Sequence, residues 1–264
     1  MSLRITSRNA RFQQWESLLH NRTKRHRQGE FLVQGVRPIT LALEHGWTIR
    51  TLISDGRGRM SSWAAEVWES SEADQVVMAP ELVAELCEKD EPSELLAVVA
   101  MPTDSLARLD PTALTVVFDR PTQPGNLGTL ARSADAFGAV GLVVTGHGAD
   151  PYDPRAVRSS TGSLFALTVV RAPSHREVLE WAQPHGVRIV GTDEAGVLDV
   201  READLTGPLV VVVGNETHGM TAAWREACDQ LVSIPMAGAA SSLNAATAGS
   251  IVLEEALRQR RAAT

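Results

Sequence analysis

Two short runs near the carboxyl end of this 264-residue chain hold residues able to bind and act on a small molecule. In the first, Val211-Val212-Val213-Gly214-Asn215-Glu216-Thr217-His218-Gly219-Met220, a β-branched run stops at a glycine, then an amide and a carboxylate follow. A buried strand ending this way sets Asn215 and Glu216 at its carboxyl end, where open α/β sheets keep their ligands. The second run, Ser233 to Asn244, repeats the plan: a short apolar strand, Pro235, a small-residue loop, then Ser242-Leu243-Asn244 opening a long helical stretch. Two such loops, with uncharged donors, glycines and one acid, read as a small-molecule pocket. A third stretch, Phe118 to Gly138, passes from a strand through a Pro/Gly loop into a helix. Asn126 stands there where an N-cap belongs, and Arg132 follows six residues on. Taken singly, these residues have ordinary structural readings. Asn126 would cap its helix, Arg132 would be a surface or ion-paired arginine, Glu216 an exposed turn acid, and Ser242 the cap of the last helix.

The elements that must position these loops follow from periodicity. Beyond residues 101–112, which hold two prolines and no clear period, strands alternate with helices. The strands are Leu114–Phe118, Val140–Thr145, Leu167–Val170, Val187–Gly191, Leu209–Val213 and Leu231–Ile234. The helices are roughly 127–137, 174–182, 220–229 and 243–261. This alternation predicts a parallel sheet covered on both faces. The first hundred residues predict a smaller α/β unit. Its helices lie near 10–20, Val36–His45, Met60–Ser70 and Pro80–Glu88, and its strands at Phe31–Val33, Thr48–Ser54, Val76–Val77 and Leu96–Ala100. The boundary is placed so that domains span residues 1–103 and 104–264.

Several function classes are excluded. The stretch from Asn126 lacks the Gly-x-Gly-x-x-Gly fingerprint, and no Gly-Lys-Ser/Thr occurs, so dinucleotide and P-loop readings fail. The seven histidines show no ligand spacing and no metal is expected. No run approaches eighteen apolar residues, and the two cysteines suit a reducing compartment, so a cytoplasmic protein without a membrane segment is expected. A net charge of −7 argues against nucleic acid until it is divided. Residues 1–50 carry nine Lys and Arg against three acids, with Arg22, Lys24, Arg25 and Arg27 within six positions. That cluster reads either as a solvated loop or as a phosphate-contacting patch; its isolation in an acidic chain favours phosphate.

Together the three stretches are more specific than any one. Asn126-x-Gly128 with Arg132, then Gly214-Asn215-Glu216-x-x-Gly219, then Ile234-Pro235-Met236 with Ser242-Leu243-Asn244, resembles the SpoU (TrmH) family. These are S-adenosylmethionine-dependent RNA ribose 2′-O-methyltransferases of the SPOUT class, some of them associated with antibiotic resistance. The resemblance implies a C-terminal α/β trefoil-knot domain, a smaller N-terminal L30e-like α/β domain that binds RNA substrate, and a homodimer. S-adenosylmethionine is the implied cofactor and ribosomal RNA the implied partner. A transfer RNA substrate, or a non-catalytic RNA-binding protein on the same fold, are the alternatives. Backbone at Gly214, Ile234 and Leu243 would hold the adenosyl group, with Asn215, Met236 and Thr192 also on the cofactor side. Arg132 would be catalytic, Asn126 would position it or the target ribose, and Glu216, Ser242 and Asn244 would hold the geometry by hydrogen bonds. Arg22, Lys24, Arg25 and Arg27 would contact phosphates. Ala245–Ser250, all small residues, would let the last helix pack closely on a neighbour. The chain departs from the family at Gln34, where a glutamate is usual.

Overall fold

Short apolar runs alternate with amphipathic ones along the chain, and they assemble into two sheets. The computed structural model describes residues 3–56, 58, 60–88 and 93–263. They form two compact units, Met1–Pro102 with Tyr152–Val157, and Thr103–Pro151 with Arg158–Thr264.

The first unit runs β1 (Leu3–Ile5), α1 (Ala10–His20), α2 (Arg22–Gln28), β2 (Glu30–Gln34), α3 (Val36–Glu44), β3 (Ile49–Ser54), α4 (Ser62–Ser70), β4 (Asp74–Met78), α5 (Pro80–Cys87) and β5 (Leu96–Ala100). Its sheet has the order β1-β4-β3-β5-β2, with β1, β4 and β3 parallel and β5 antiparallel to both its neighbours. Asn9 caps α1 by accepting from the Phe12 N–H at 3.0 Å. The helix then buries Phe12, Trp15, Leu18 and Leu19, the spacing that predicted it. β1 was not predicted: three residues are too few to show alternation, and pairing of Leu3–Ile5 with Val76–Met78 defines it.

The basic cluster forms α2 rather than a loop, and one of its members is not available to RNA. Arg25 is buried and donates to the Leu18 and Leu19 carbonyls at 2.7 and 3.2 Å, groups at the end of α1 that lack intrahelical partners. Its guanidinium also lies 3.6 Å from the Asp153 carboxylate. Arg25 therefore joins two helices and is not a phosphate contact, whereas Arg22, Lys24 and Arg27 are exposed. Other early arginines face acids from later in the unit or from their own segment. Arg8 pairs with Glu85 and Glu16, Arg11 with Asp74 and Arg50 with Glu30. Residues 51–102 carry three Lys and Arg against eleven acids, so the early basic surplus is a local feature of an otherwise acidic unit. Gln34, the departure from the family pattern, donates its side-chain amide to the Cys87 carbonyl at 3.0 Å.

The second unit runs β6 (Leu114–Asp119), α6 (Pro124–Ala136), β7 (Gly141–Thr145), α7 (Pro154–Ser160), β8 (Thr168–Ala172), α8 (His175–Ala182), β9 (Arg188–Thr192), β10 (Leu198–Asp199), β11 (Leu209–Val213), α9 (Ala222–Ala227), β12 (Gln230–Ser233) and α10 (Ala245–Ala262). The first half of α7 counts with the first unit. Seven strands in the order β10-β12-β9-β11-β6-β7-β8 pair in parallel throughout. β6, β7 and β11 are buried along their whole length, which is why they read as continuous valine-rich runs. On one face Val178 and Ala182 of α8 and Trp224 of α9 pack with Val117, Val143, Val210 and Val212. On the other lie α6 and α10. A Cβ on Gly249 would stand 2.6 Å from Leu130 and 2.9 Å from Val213, so α10 reaches its position only because that residue has no side chain. Ser250 donates to Ser133 at 2.7 Å, tying α10 to α6. The fold is the expected parallel α/β arrangement with helices on both faces of the sheet. α7 and the two-residue β10 were missed, being too short to carry a period.

Candidate active site

All three sequence stretches meet at the carboxyl ends of β6, β11 and β12. Proline at the first position of α6 supplies no N–H, and Gln123, the residue that actually occupies the N-cap, makes no side-chain cap hydrogen bond. Asn126 is thus inside the helix, not its cap. The cap comes from another strand: the Glu216 carboxylate, just past β11, accepts from the Thr122 N–H and hydroxyl at 2.9 Å each and from the Gln123 N–H at 3.1 Å. An anion at a helix N-terminus is stabilised by the unpaired N–H groups and the helix dipole. Burial works against ionisation of Glu216, but hydrogen bonds from Thr122, Asn126 and Gln123 outweigh it and hold its carboxyl below the usual glutamate range.

From Glu216 the hydrogen bonding continues. Asn126 Nδ2 donates to Glu216 Oε1 at 3.1 Å, and Asn126 Oδ1 accepts from Asn244 Nδ2 at 3.1 Å. Asn244 Oδ1 in turn caps α10, accepting from the Ala246 and Thr247 N–H groups at 2.9 and 3.3 Å. Asn244, not Ser242, is therefore the helix cap. The relay also fixes the orientation of Asn126 toward Glu216 and Asn244 rather than toward Arg132.

Asn215 shapes the adjoining turn. Its backbone exchanges hydrogen bonds with Gly219, and its side-chain oxygen accepts from the Thr217 and His218 N–H groups at 2.9 and 3.1 Å. Its amide donates to the Arg120 carbonyl at 2.6 Å. Arg120 itself has φ +50, a left-handed conformation that a non-glycine residue adopts only when its surroundings impose it. A Cβ on Gly214 would fall on the backbone of Gly219 and Met220, so only glycine allows the turn to close over β11.

These loops enclose a cavity of about 480 Å³. Thr192, Gly214, Asn215, Ile234, Met236 and Leu243, the expected cofactor residues, all line it, together with Glu216 and Ser242. Asn126 and Asn244 connect to that lining through Glu216. Arg132 does not line it; it is exposed on α6 and has no ion pair among the described residues. Arg22, Lys24 and Arg27 belong to the first unit. Sequence reasoning missed Asp193, Glu194, His218 and Arg225 in the cavity wall. Asp193 and Glu194 directly follow β9, so their position past a strand's carboxyl end was the available signal. Arg225 gave none, because its place depends on how α9 packs. Among the described residues no group of acids, histidines and cysteines could hold a metal, and no helix is long and apolar enough to cross a membrane.

Comparison with known proteins agrees with this geometry. Residues 113–254 match the SpoU rRNA Methylase family, and residues 9–97 match the SpoU L30e-like domain. The chain belongs to the SpoU rRNA methylase family. It is similar to the 23S rRNA (uridine(2479)-2′-O)-methyltransferase of Streptomyces viridochromogenes, with 57% identity over 97% of this chain and 92% of that protein. A crystal structure of the SpoU methyltransferase AviRb from the same organism, in complex with the cofactor AdoMet, superposes with TM-score 0.91 at 56% identity, covering 96% of this chain and 98% of that one. An AdoMet-bound rRNA methyltransferase from Sinorhizobium meliloti superposes with TM-score 0.87 at 30% identity, covering 97% of each chain. Two of the SpoU motifs read from the sequence thus line one cavity, and the third is joined to them by the hydrogen bonds of Asn126 to Glu216 and Asn244.

The Glu216 contact has a pH signature. A native pKa below the unfolded value means that the carboxylate stabilises the fold at neutral pH, and that this is lost as pH falls below about 4.3. Glu216→Gln should lower stability at pH 7 by about 1 kcal/mol, the usual cost of losing a helix cap. Thermal melts of both forms from pH 7 to pH 3 should show the gap closing on acidification; a gap constant down to pH 3 would mean that Glu216 acts by packing alone.

Proposed function

We propose that this chain transfers the methyl group of S-adenosylmethionine to a ribose 2′-hydroxyl of 23S ribosomal RNA, working in the cytoplasm. The observation that carries this reading is the joining of three SpoU motifs, through Glu216, Asn126 and Asn244, at one cavity. The cavity suits the cofactor. Its volume of about 480 Å³ falls within the ordinary range for small-molecule sites. Ile234, Met236, Leu243, Ala245 and Ala248 offer apolar surface to an adenine ring, and Gly214 exposes backbone. Bound there, S-adenosylmethionine supplies an electrophilic methyl group on a sulfonium sulfur. The protein then has to align the ribose hydroxyl and accommodate charge on its oxygen. Arg132 takes that second role: a fixed cation without an ion pair stabilises the oxyanion, while the proton leaves to water or phosphate, since a guanidinium does not deprotonate at ordinary pH. Glu216, Asn126, Asn244 and Ser242 position the loops around it.

The reading divides the chain into an RNA-binding domain, residues 1–103, and a methyltransferase domain, residues 104–264. Arg22, Lys24 and Arg27 contact phosphate in the first. The second forms a homodimer by its trefoil-knot fold. Ile251 supports this: it is a large apolar side chain left exposed on α10, a surface that a second copy would cover.

Incubation with tritiated S-adenosylmethionine and protein-free ribosomal RNA or bulk transfer RNA, followed by primer extension at low dNTP, tests the reaction. Label should enter ribosomal RNA and stop extension at one site. Arg132→Ala should lower turnover by a factor of about a hundred to a thousand, on the scale of losing an oxyanion-stabilising group, while leaving cofactor binding intact. Label in transfer RNA alone would overturn the substrate. Replacing Arg22, Lys24 and Arg27 together by alanine should weaken RNA binding and lower its salt slope by up to about three; an unchanged slope removes them from the interface. Sedimentation at equilibrium should give twice the 28.4 kDa chain mass, and an active monomer would count against the dimer.

A further inference from the structure

One charged group in the cavity wall is unexplained by the motifs. Arg225 is the one arginine or lysine among the described lining residues, against three acids, Asp193, Glu194 and Glu216. It sits on α9, whose start is capped by Thr221 and whose Trp224 is buried, so its backbone is firmly placed. Its Nε donates to Asp193 Oδ2 at 2.5 Å. Asp193 is anchored in turn: its side chain is only 6% exposed, and Oδ1 accepts from the Ala195 N–H at 2.9 Å. Burial disfavours the Asp193 carboxylate, but the bonds from Arg225 and Ala195 prevail and keep its pKa low, so the pair stays charged. The Arg225 side chain is 44% exposed, and its two terminal nitrogens have no partner among the described residues. One of them, Nη2, lies 3.5 Å from where a Cβ on Gly219 would be, against the loop that closes the cavity. A guanidinium oriented by a buried acid, with its outer N–H groups free and facing a cavity, is arranged to receive an anion in bidentate fashion.

Resting on the reading that the cavity takes S-adenosylmethionine, we propose that Arg225 binds the α-carboxylate of that cofactor and that Asp193 positions it to do so. The carboxylate is the cofactor's one anionic group, beside a cationic ammonium and a cationic sulfonium. Glu194, the third acid of the wall, suits a cation, and Arg225 is the arginine of the wall that suits the anion. The same contact would be kept with the demethylated product, which retains the carboxylate. Arg225 is thus a determinant of amino-acid recognition and not of methyl transfer.

Calorimetric titration with S-adenosylmethionine and with decarboxylated S-adenosylmethionine isolates the contact, because the two ligands differ only in that carboxylate. The wild-type chain should bind the complete cofactor about tenfold or more tighter. Arg225→Gln should lose about tenfold for the complete cofactor, leave the decarboxylated one nearly unchanged, and so abolish the preference. Arg225→Lys, which keeps the charge without the fork, should retain part of it and serves as the second variant should the glutamine form fold poorly. An equal loss for both ligands overturns the proposal, because the arginine would then act through cavity shape. So does a preference that survives in Arg225→Gln, including the case where that variant loses only RNA affinity to a phosphate. A wild-type chain that binds neither ligand brings down the cofactor reading itself; binding of both without discrimination brings down Arg225 alone.

Discussion

The carboxylate of Glu216 at the start of α6 is the interaction on which the rest of the catalytic unit depends. A helix that begins Gln123-Pro124 has exposed N–H groups and no side chain of its own to satisfy them. Glu216 arrives from the end of β11, more than ninety residues later in the chain, and sets its negative charge at that helix start, accepting from the Thr122 N–H and hydroxyl and from the Gln123 N–H just before it. Because the acceptor belongs to another strand, satisfying the helix also fixes the distance between two loops. Asn126 and Asn244 extend the tie to α10, each amide donating at one end and accepting at the other. Every member of the relay is held by the next, which makes the arrangement directional as well as stable.

Close backbone approach is the second constraint. Gly214 and Gly249 stand where a methyl group would meet backbone in one case and Leu130 and Val213 in the other. The first lets the 214–219 turn fold over its strand; the second lets α10 lie against α6 and β11. Without that approach Asn244 would stand too far from Asn126 to donate to it. The small residues and the polar relay are therefore parts of one device, in which packing sets the spacing and hydrogen bonds set the orientation. Ala245 and Ala248 extend it to the cavity wall.

Charge is distributed with the same economy. In the first unit Arg8, Arg11 and Arg50 meet acids from elsewhere in it and Arg25 closes the end of α1, while Arg22, Lys24 and Arg27 stay exposed. In the second unit the cavity is lined by acids and one arginine, and two of those acids are already engaged, Glu216 by the start of α6 and Asp193 by Arg225. Ligand recognition is then left to backbone, to apolar side chains, and to the few charged groups whose bonding is incomplete.

The sequence by itself determined the parallel sheet, the existence of most helices and the loops that carry the site. Buried valine runs and amphipathic spacing are local properties, and Gly214-Asn215-Glu216 and Ser242-Leu243-Asn244 sit at strand and helix ends wherever those elements go. The tertiary structure alone decided what each polar residue does. Asn126 and Ser242 occupy positions where a cap is plausible locally, yet the start of α6 is held by Glu216 from β11 and α10 is capped by Asn244, because hydrogen bonding depends on which loops are brought together. Arg25 reads as a member of a basic cluster until α2 folds and turns it inward to the carbonyls of α1. Arg225 carries no signal at all in the chain, since its meeting with Asp193 follows from α9 packing beside β9. Periodicity records which face of an element is apolar; it holds no record of which distant polar group will face it, and at this site that pairing is the chemistry.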